Sequence, residues 1–203
     1  MYQSEISRSN PALILFLFDC SYSMSEKYGD SGISKGEYLA KVCNEAIDQV
    51  ILSCEKGDEL RAYFEIGIIG YGGTPKQLLP IDTIINLANN PKKMITSEID
   101  GVKIERPIWI EDPTESVNTD MKAGFDMAGE VLQQWIESHK TSFPPVLIHV
   151  SDGEWTEGSP VQTAQNIQKD IFSDDGPVLI MNIHISSDSD KVIVFPDTEP
   201  TDD

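Results

Sequence analysis

Asp19, Ser21 and Ser23 place one carboxylate and two hydroxyls at alternate positions, directly after the apolar run Leu-Ile-Leu-Phe-Leu-Phe of residues 13–18. Oxygen-bearing side chains of this kind form a hard donor set, the type that Mg2+ or Mn2+ accepts. The same stretch also reads as a strand followed by a Ser-rich turn, and residues 13–24 by themselves favour neither reading. Further along, Thr119 offers a hydroxyl and Asp152 a second carboxylate, the latter in Val150-Ser151-Asp152-Gly153. For these residues to act together, the fold must bring positions 100 and 133 residues beyond Asp19 to one point.

The elements that would do so are legible in outline. A short apolar run rich in Phe and Leu fits a strand covered on both faces, as in the middle of a parallel sheet, whose chemistry sits at its carboxyl end. Ser34-Lys-Gly-Glu37 matches a capping box, and Leu39, Val42, Cys43, Ala46, Val50 and Cys54 follow at helical spacing, with Gly57 ending the helix. Residues 61–71 read as a second strand, 78–81 as a short edge strand that tolerates Pro80, and 82–90 as a short helix. Residues 91–113 are the least legible; 103–110 could hold a strand, but Pro107 argues against a central one. Asn118 or Thr119 caps a helix striped by Phe125, Ala128, Val131, Leu132 and Trp135. Residues 146–150 are a buried strand, and Ser159-Pro160 starts a helix carrying Val161, Ala164, Ile167 and Ile171. Residues 178–185 and 191–195 are the last two strands.

Alternating strands and helices predict an α/β fold, doubly wound, with a mostly parallel central sheet, helices on both faces and one antiparallel edge strand. Right-handed crossovers would then gather the carboxyl ends of the strands on one edge, where Asp19, Thr119 and Asp152 meet. Residues 1–10 form a polar lead-in, 11–195 a single domain and 196–203 an acidic tail.

Composition bounds the function. The 203 residues carry a formal charge of -19, which repels phosphate backbones and anionic membranes and so excludes nucleic acid as a partner. Three cysteines, Cys20, Cys43 and Cys54, make no disulfide framework. No stretch approaches the apolar length that spans a membrane, and residues 1–11 lack a signal core, so a cytoplasmic location is expected.

The oxygen-bearing residues also resemble a known family. Asp19-x-Ser21-x-Ser23-Met24 matches the D-x-S-x-S signature of von Willebrand factor A (vWA) domains, residues 118–128 look like the family's Thr-led second element, and Ser151-Asp152-Gly153 like its third. The three occur in the family's order across almost the whole chain. The resemblance implies a Rossmann-like fold with a metal-ion-dependent adhesion site. There Ser21, Ser23 and Thr119 supply hydroxyls, and Asp19 and Asp152 carboxylates, to Mg2+ or Mn2+. An open coordination position then takes an Asp or Glu from a protein partner. The composition and Phe195-Pro196-Asp197 look most like a bacterial cytoplasmic branch related to tellurite resistance, whose partners include kinases and phosphatases. Departures are Asn118 where Gly is common, Ser151 where Thr is common, and residues 196–203, too short for the family's closing helix. Thr114 and Ser116 are rival hydroxyls to Thr119.

Tyr22, Trp109, Glu154 and Trp155 are the candidate partner contacts, lying in or beside the same loops; each also fits an ordinary loop or core position. His139, His149 and His184 lack metal-ligand spacing, and His149 and His184 fall in apolar strands as core residues. Asp174-Asp175 reads as a solvated turn. No nucleophile and base are paired, so no catalysis is expected. The competing reading is a Mg2+-dependent phosphohydrolase of the haloacid-dehalogenase type with Asp19 as nucleophile. Its second Asp, two residues on, is here Ser21, which cannot act as a carboxylate general acid.

Overall fold

In the computed structural model, residues 2–99, 102–115, 118–153 and 155–186 are described. In chain order they form β1 (Ala12–Asp19), a 3-10 turn (Tyr22–Ser25), α1 (Lys35–Ser53), β2 (Glu55–Lys56), β3 (Glu59–Leu60), β4 (Phe64–Tyr71) and β5 (Lys76–Thr83). There follow α2 (Ile84–Asn89), β6 (Lys93–Ile99), β7 (Val102–Ile108), α3 (Met121–Ser138), β8 (Val146–Ser151), α4 (Val161–Asp170), β9 (Phe172–Ser173), β10 (Gly176–Pro177) and β11 (Leu179–His184).

The apolar run of β1 lies at the centre of a five-stranded sheet of order β11-β8-β1-β4-β5. β1 pairs in parallel with β4 and β8, β8 pairs in parallel with β11, and β5 closes one edge antiparallel to β4. The chain is therefore the doubly wound α/β fold expected from the sequence. Alternation along β1 sends Leu13, Leu15 and Leu17 into the core under α3 and α4, and Phe18 into the core under α1 and α2. Full burial of each such side chain favours the fold by roughly 1.5–3 kcal/mol. After β1 the chain winds to β4 on one side, and later to β8 on the other. A crevice thus opens at the carboxyl ends of β1 and β8, where ligands of such sheets bind.

The boundaries move in several places. α1 keeps its capping box, with Ser34 and Glu37 exchanging hydrogen bonds, but it ends at Ser53 with Cys54 as its C-cap. Gly57 instead turns the β2–β3 hairpin with φ +65°, a left-handed geometry that only glycine adopts without strain. The edge strand is longer than expected. Pro80 survives in it because the register shifts between Ile66 and Ile68, so Pro80 falls in the irregular stretch between the pairs Ile68–Leu79 and Ile66–Asp82. Residues 93–108 form a separate hairpin, β6–β7, so Pro107 does lie outside the central sheet.

The cap of α3 is neither Asn118 nor Thr119 but Asp120, whose Oδ1 accepts from the Ala123 N–H at 2.9 Å. Pro160 sits at the N-cap of α4 rather than inside its first turn. Asp175 is more than a solvated turn: its carboxylate accepts from the N–H groups of Gln3 and Ser4 at 2.7 and 3.0 Å, and ties down the lead-in. His149 is a core residue as expected, whereas His184 is exposed on the edge strand β11. The expected strand at 191–195 and the tail at 196–203 lie outside the described residues.

Candidate functional site

The site is assembled by strand ends and helix starts. Asp19 is the last residue of β1 and 1% exposed. Its Oδ1 accepts the Ser21 N–H at 2.9 Å, which folds the chain back over the carboxylate. The next turn is closed by Met24 N–H to Ser21 O at 3.1 Å, and the fully buried Met24 side chain pins the loop to the core. That turn leaves Ser21 Oγ and Ser23 Oγ 3.1 Å apart. Ser23 Oγ donates in turn to Asp152 Oδ1 at 2.7 Å, from the loop after β8.

Thr119 completes the cluster from the loop before α3. Its N–H donates to Thr156 Oγ1 at 3.0 Å, and the Thr156 N–H donates to Thr119 O at 3.2 Å. Ser21, Ser23, Thr119 and Asp152 line one cleft of about 410 Å3, together with Tyr22, Glu26, Lys35, Asn118, Gly153 and Thr156. Thr114, the rival hydroxyl, is committed elsewhere: its Oγ1 donates to Asp112 Oδ1 at 2.6 Å, beside Gly36. Ser116 lies outside the described residues.

The electrostatics are set by two carboxylates in a largely dry place. Burial raises the Asp19 pKa; hydrogen bonds from Ser21 and Tyr71 work against that, and the nearby Asp152 charge adds to it. Asp152, whose side chain is 2% exposed, is matched by a cation absent from the sequence reading. Lys35 Nζ lies 2.8 Å from Asp152 Oδ2 and 2.9 Å from Glu26 Oε2, with the lysine side chain 8% exposed. Burial opposes the Lys35 charge, but the hydrogen bonds to Asp152 and Glu26 outweigh it and raise its pKa. Beneath the site, Tyr71 Oη lies 2.8 Å from His149 Nε2, and His149 Nδ1 lies 3.1 Å from Asn182 Oδ1. Burial, the Asp19 charge and the hydrogen bond to Asp19 push the Tyr71 pKa upward, and burial pulls His149 down to about 4.

Chemically the donor set suits a small hard cation. Among the described residues no three His, Cys, Asp or Glu side chains cluster as metal ligands. The set here is instead two carboxylates and three hydroxyls, which Mg2+ accommodates while retaining water. Ser21, Ser23, Thr119 and Asp152 line the cleft and Asp19, outside its lining, holds the Ser21 N–H, so the donor types present are those that such an ion would take.

The partner-contact residues divide. Tyr22 is 65% exposed at the cleft, and Trp155 is 45% exposed three positions after Asp152. Glu154 lies outside the described residues. Trp109 is not a rim residue: it is 4% exposed, its indole N–H donates to Leu87 O at 2.8 Å, and its backbone N–H donates to Asn44 Oδ1. The side chain after β7 enters the core under α1 instead of facing the cleft. Sequence reasoning missed Lys35, Glu26, Tyr71 and Thr156. One signal for Lys35 was present. A lysine just inside a capped helix start opposes the helix dipole, so it calls for another partner.

No family model matches the chain, and no curated protein matches it. Among solved structures it is similar to an aerotolerance-related membrane protein from Bacteroides fragilis, at 15% identity and a TM-score of 0.56, covering 86% of this chain and 67% of that one. It is similar to the conserved hypothetical protein BatB from Bacteroides thetaiotaomicron, at 15% identity and 0.51, covering 85% and 66%. It is also similar to proximal thread matrix protein 1 of the mussel byssus, at 12% identity and 0.54, covering 91% and 39%. The chain thus spans 66% of BatB and well under half of the mussel protein. Likeness at these identities shows a shared fold.

Proposed function

We propose that this chain is a vWA-type protein-binding module that captures an acidic side chain of a protein partner through a divalent cation. The observation that carries the reading is the link from Ser21 through Ser23 to Asp152, at 3.1 and 2.7 Å, in a cleft that Thr119 also lines. Neutral hydroxyls in the coordination shell leave most of a dication's charge uncompensated, so an open position attracts an anionic oxygen. Such a charge-assisted contact is strongest where the interface excludes water. Tyr22 and Trp155, exposed beside the cleft, are the partner-facing residues of this reading.

The reading includes no catalysis, a cytoplasmic location, and a place in a bacterial stress-response or signalling assembly with a kinase or phosphatase as candidate partner. The place in such an assembly rests on the sequence resemblance. Among the described residues no helix is long and apolar enough to cross a membrane.

Calorimetric titration of Mg2+ and Mn2+ tests the metal step. Wild type is expected to bind, and Asp19→Ala, Ser21→Ala and Thr119→Ala to bind weakly or not at all while keeping a native circular-dichroism spectrum. Heats indistinguishable between wild type and these variants would overturn the reading. Metal-dependent phosphate release from a generic phosphoester, lost in Asp19→Asn, would favour the phosphohydrolase instead.

A further inference from the structure

Lys35 is the one lysine whose ammonium reaches the carboxylates of the candidate site among the described residues. Asp152 splits its two oxygens: Oδ1 accepts from Ser23 on the cleft side, and Oδ2 accepts from Lys35. The ammonium is also held by Glu26, whose carboxylate is 62% exposed and so stands at the solvent side of the pair. Glu26 and Lys35 are joined through the backbone as well, by Lys35 N–H to Glu26 O at 2.9 Å. Glu26 therefore stays beside Lys35 wherever the ammonium moves.

The position is a poor one for a lysine on any other ground. It is the first residue of α1, where the helix dipole disfavours positive charge, and its side chain gives up almost all of its hydration. The compensating gain is neutralisation of Asp152, which would otherwise face Asp19 as a second buried anion. A dication bound by Ser21, Ser23 and Asp152 would lie within a few ångströms of that ammonium, and like charges repel strongly where water is scarce.

Resting on the cation reading above, we propose that Lys35 is the built-in counter-cation of this site. It neutralises Asp152 in the metal-free protein, and a divalent ion loads only as the ammonium withdraws from Asp152 onto Glu26. Metal binding is thereby coupled to a two-position side chain, which either bridges Asp152 and Glu26, as here, or rests on Glu26 alone. The metal-free protein holds a charge-satisfied site instead of an open pair of anions. Cation affinity is set low by competition, so the site senses cation concentration instead of being permanently filled.

The test is calorimetric titration of Mn2+ into the chelator-stripped protein, with melting temperatures measured with and without Mn2+. Lys35→Met removes the charge. Lys35→Gln also removes it but keeps an N–H donor for Asp152, which guards against loss of folding. Both are expected to bind Mn2+ about tenfold tighter than wild type or better, and to gain more in melting temperature on Mn2+ addition. Glu26→Gln, which removes the charge that receives the ammonium, is expected to bind Mn2+ more weakly than wild type. If wild type and both Lys35 variants bind with equal affinity, the counter-cation role is overturned and the metal site stands. If folded wild type and folded Lys35→Gln both give no heat, the metal reading falls and this inference with it. Glu26→Gln with wild-type affinity would overturn the withdrawal step.

Discussion

Ser23 Oγ donates to Asp152 Oδ1 at 2.7 Å, across 129 positions of sequence. The contact joins the loop after the central strand to the loop after its neighbour, and it exists because β1 and β8 run parallel and end together. Ser23→Ala removes the donor and leaves a nearly buried carboxylate oxygen short of one hydrogen bond. A loss of about 1–2 kcal/mol in unfolding free energy is expected, measured by urea denaturation. Under the proposed function the same variant also loses Mn2+ binding, so calorimetry should show the heat disappear while the spectrum stays native.

How much of this was legible follows the kind of signal each residue carries. β1 announced itself because a run of only six apolar residues is short for a helix and fits a strand covered on both faces, and its end placed Asp19. The β6–β7 hairpin did not, because Lys93–Ile99 mixes charge with apolar residues and belongs to no central sheet. Both Thr119 and Thr114 are loop hydroxyls, and only the family resemblance favours Thr119. The choice is tertiary, made by Asp112 engaging Thr114 and by Thr156 positioning Thr119. Asn118, Thr119 and Asp120 are three successive residues able to cap a helix, and only the backbone path selects Asp120. Trp109 precedes Thr119 in the chain, which suggests a rim position, but its indole N–H is drawn inward by Leu87 O. Lys35 was hidden inside a capping box, where its neighbours explained the local structure without it.

Gly124 marks where α3 presses on the site floor. A Cβ there would meet Tyr71 Cγ at 2.7 Å and Tyr71 Cβ at 2.8 Å, and Tyr71 is the buried residue whose hydroxyl meets His149 Nε2 beneath the site. Alanine in a helix interior normally gains about 1 kcal/mol over glycine. Here the clash with a fully buried ring is expected to outweigh that gain. Gly124→Ala should be less stable than wild type by about 1–2 kcal/mol, visible as a lower urea midpoint with the slope unchanged.

The three tryptophans separate by exposure. Trp109 and Trp135 are buried, and Trp155 is 45% exposed. Acrylamide should therefore quench chiefly Trp155, and Trp155→Phe should remove most of the quenchable fluorescence. Trp155→Phe and Tyr22→Ala are expected to change stability by less than about 0.5 kcal/mol, as exposed positions do. Trp109→Phe deletes the buried N–H to Leu87 O bond and is expected to cost about 1–3 kcal/mol.

His149 gives the protein an acid sensitivity that can be assigned. Its ring lies against Phe125 and Tyr71, with centroids 4.9 and 5.7 Å away, and burial lowers its pKa from the ordinary 6.5 to about 4. The unfolded chain takes up the proton as pH falls below 6.5, whereas the native state refuses it until about 4. The unfolded state therefore binds more protons in that window, and stability falls as pH drops through it, by roughly 3 kcal/mol in all. Asp19 acts in the opposite sense. Its native pKa is raised, so the native state takes that proton first and stability rises as pH falls through the raised value toward 3.8. The two are separated by comparison with His149→Gln, which cannot titrate. With chelator present, the difference in unfolding free energy between wild type and His149→Gln should shift against wild type between pH 6.5 and 4 and be flat above 6.5. A constant difference across that window would show that His149 takes up its proton at the same pH in the native and unfolded states, so that burial does not lower its pKa.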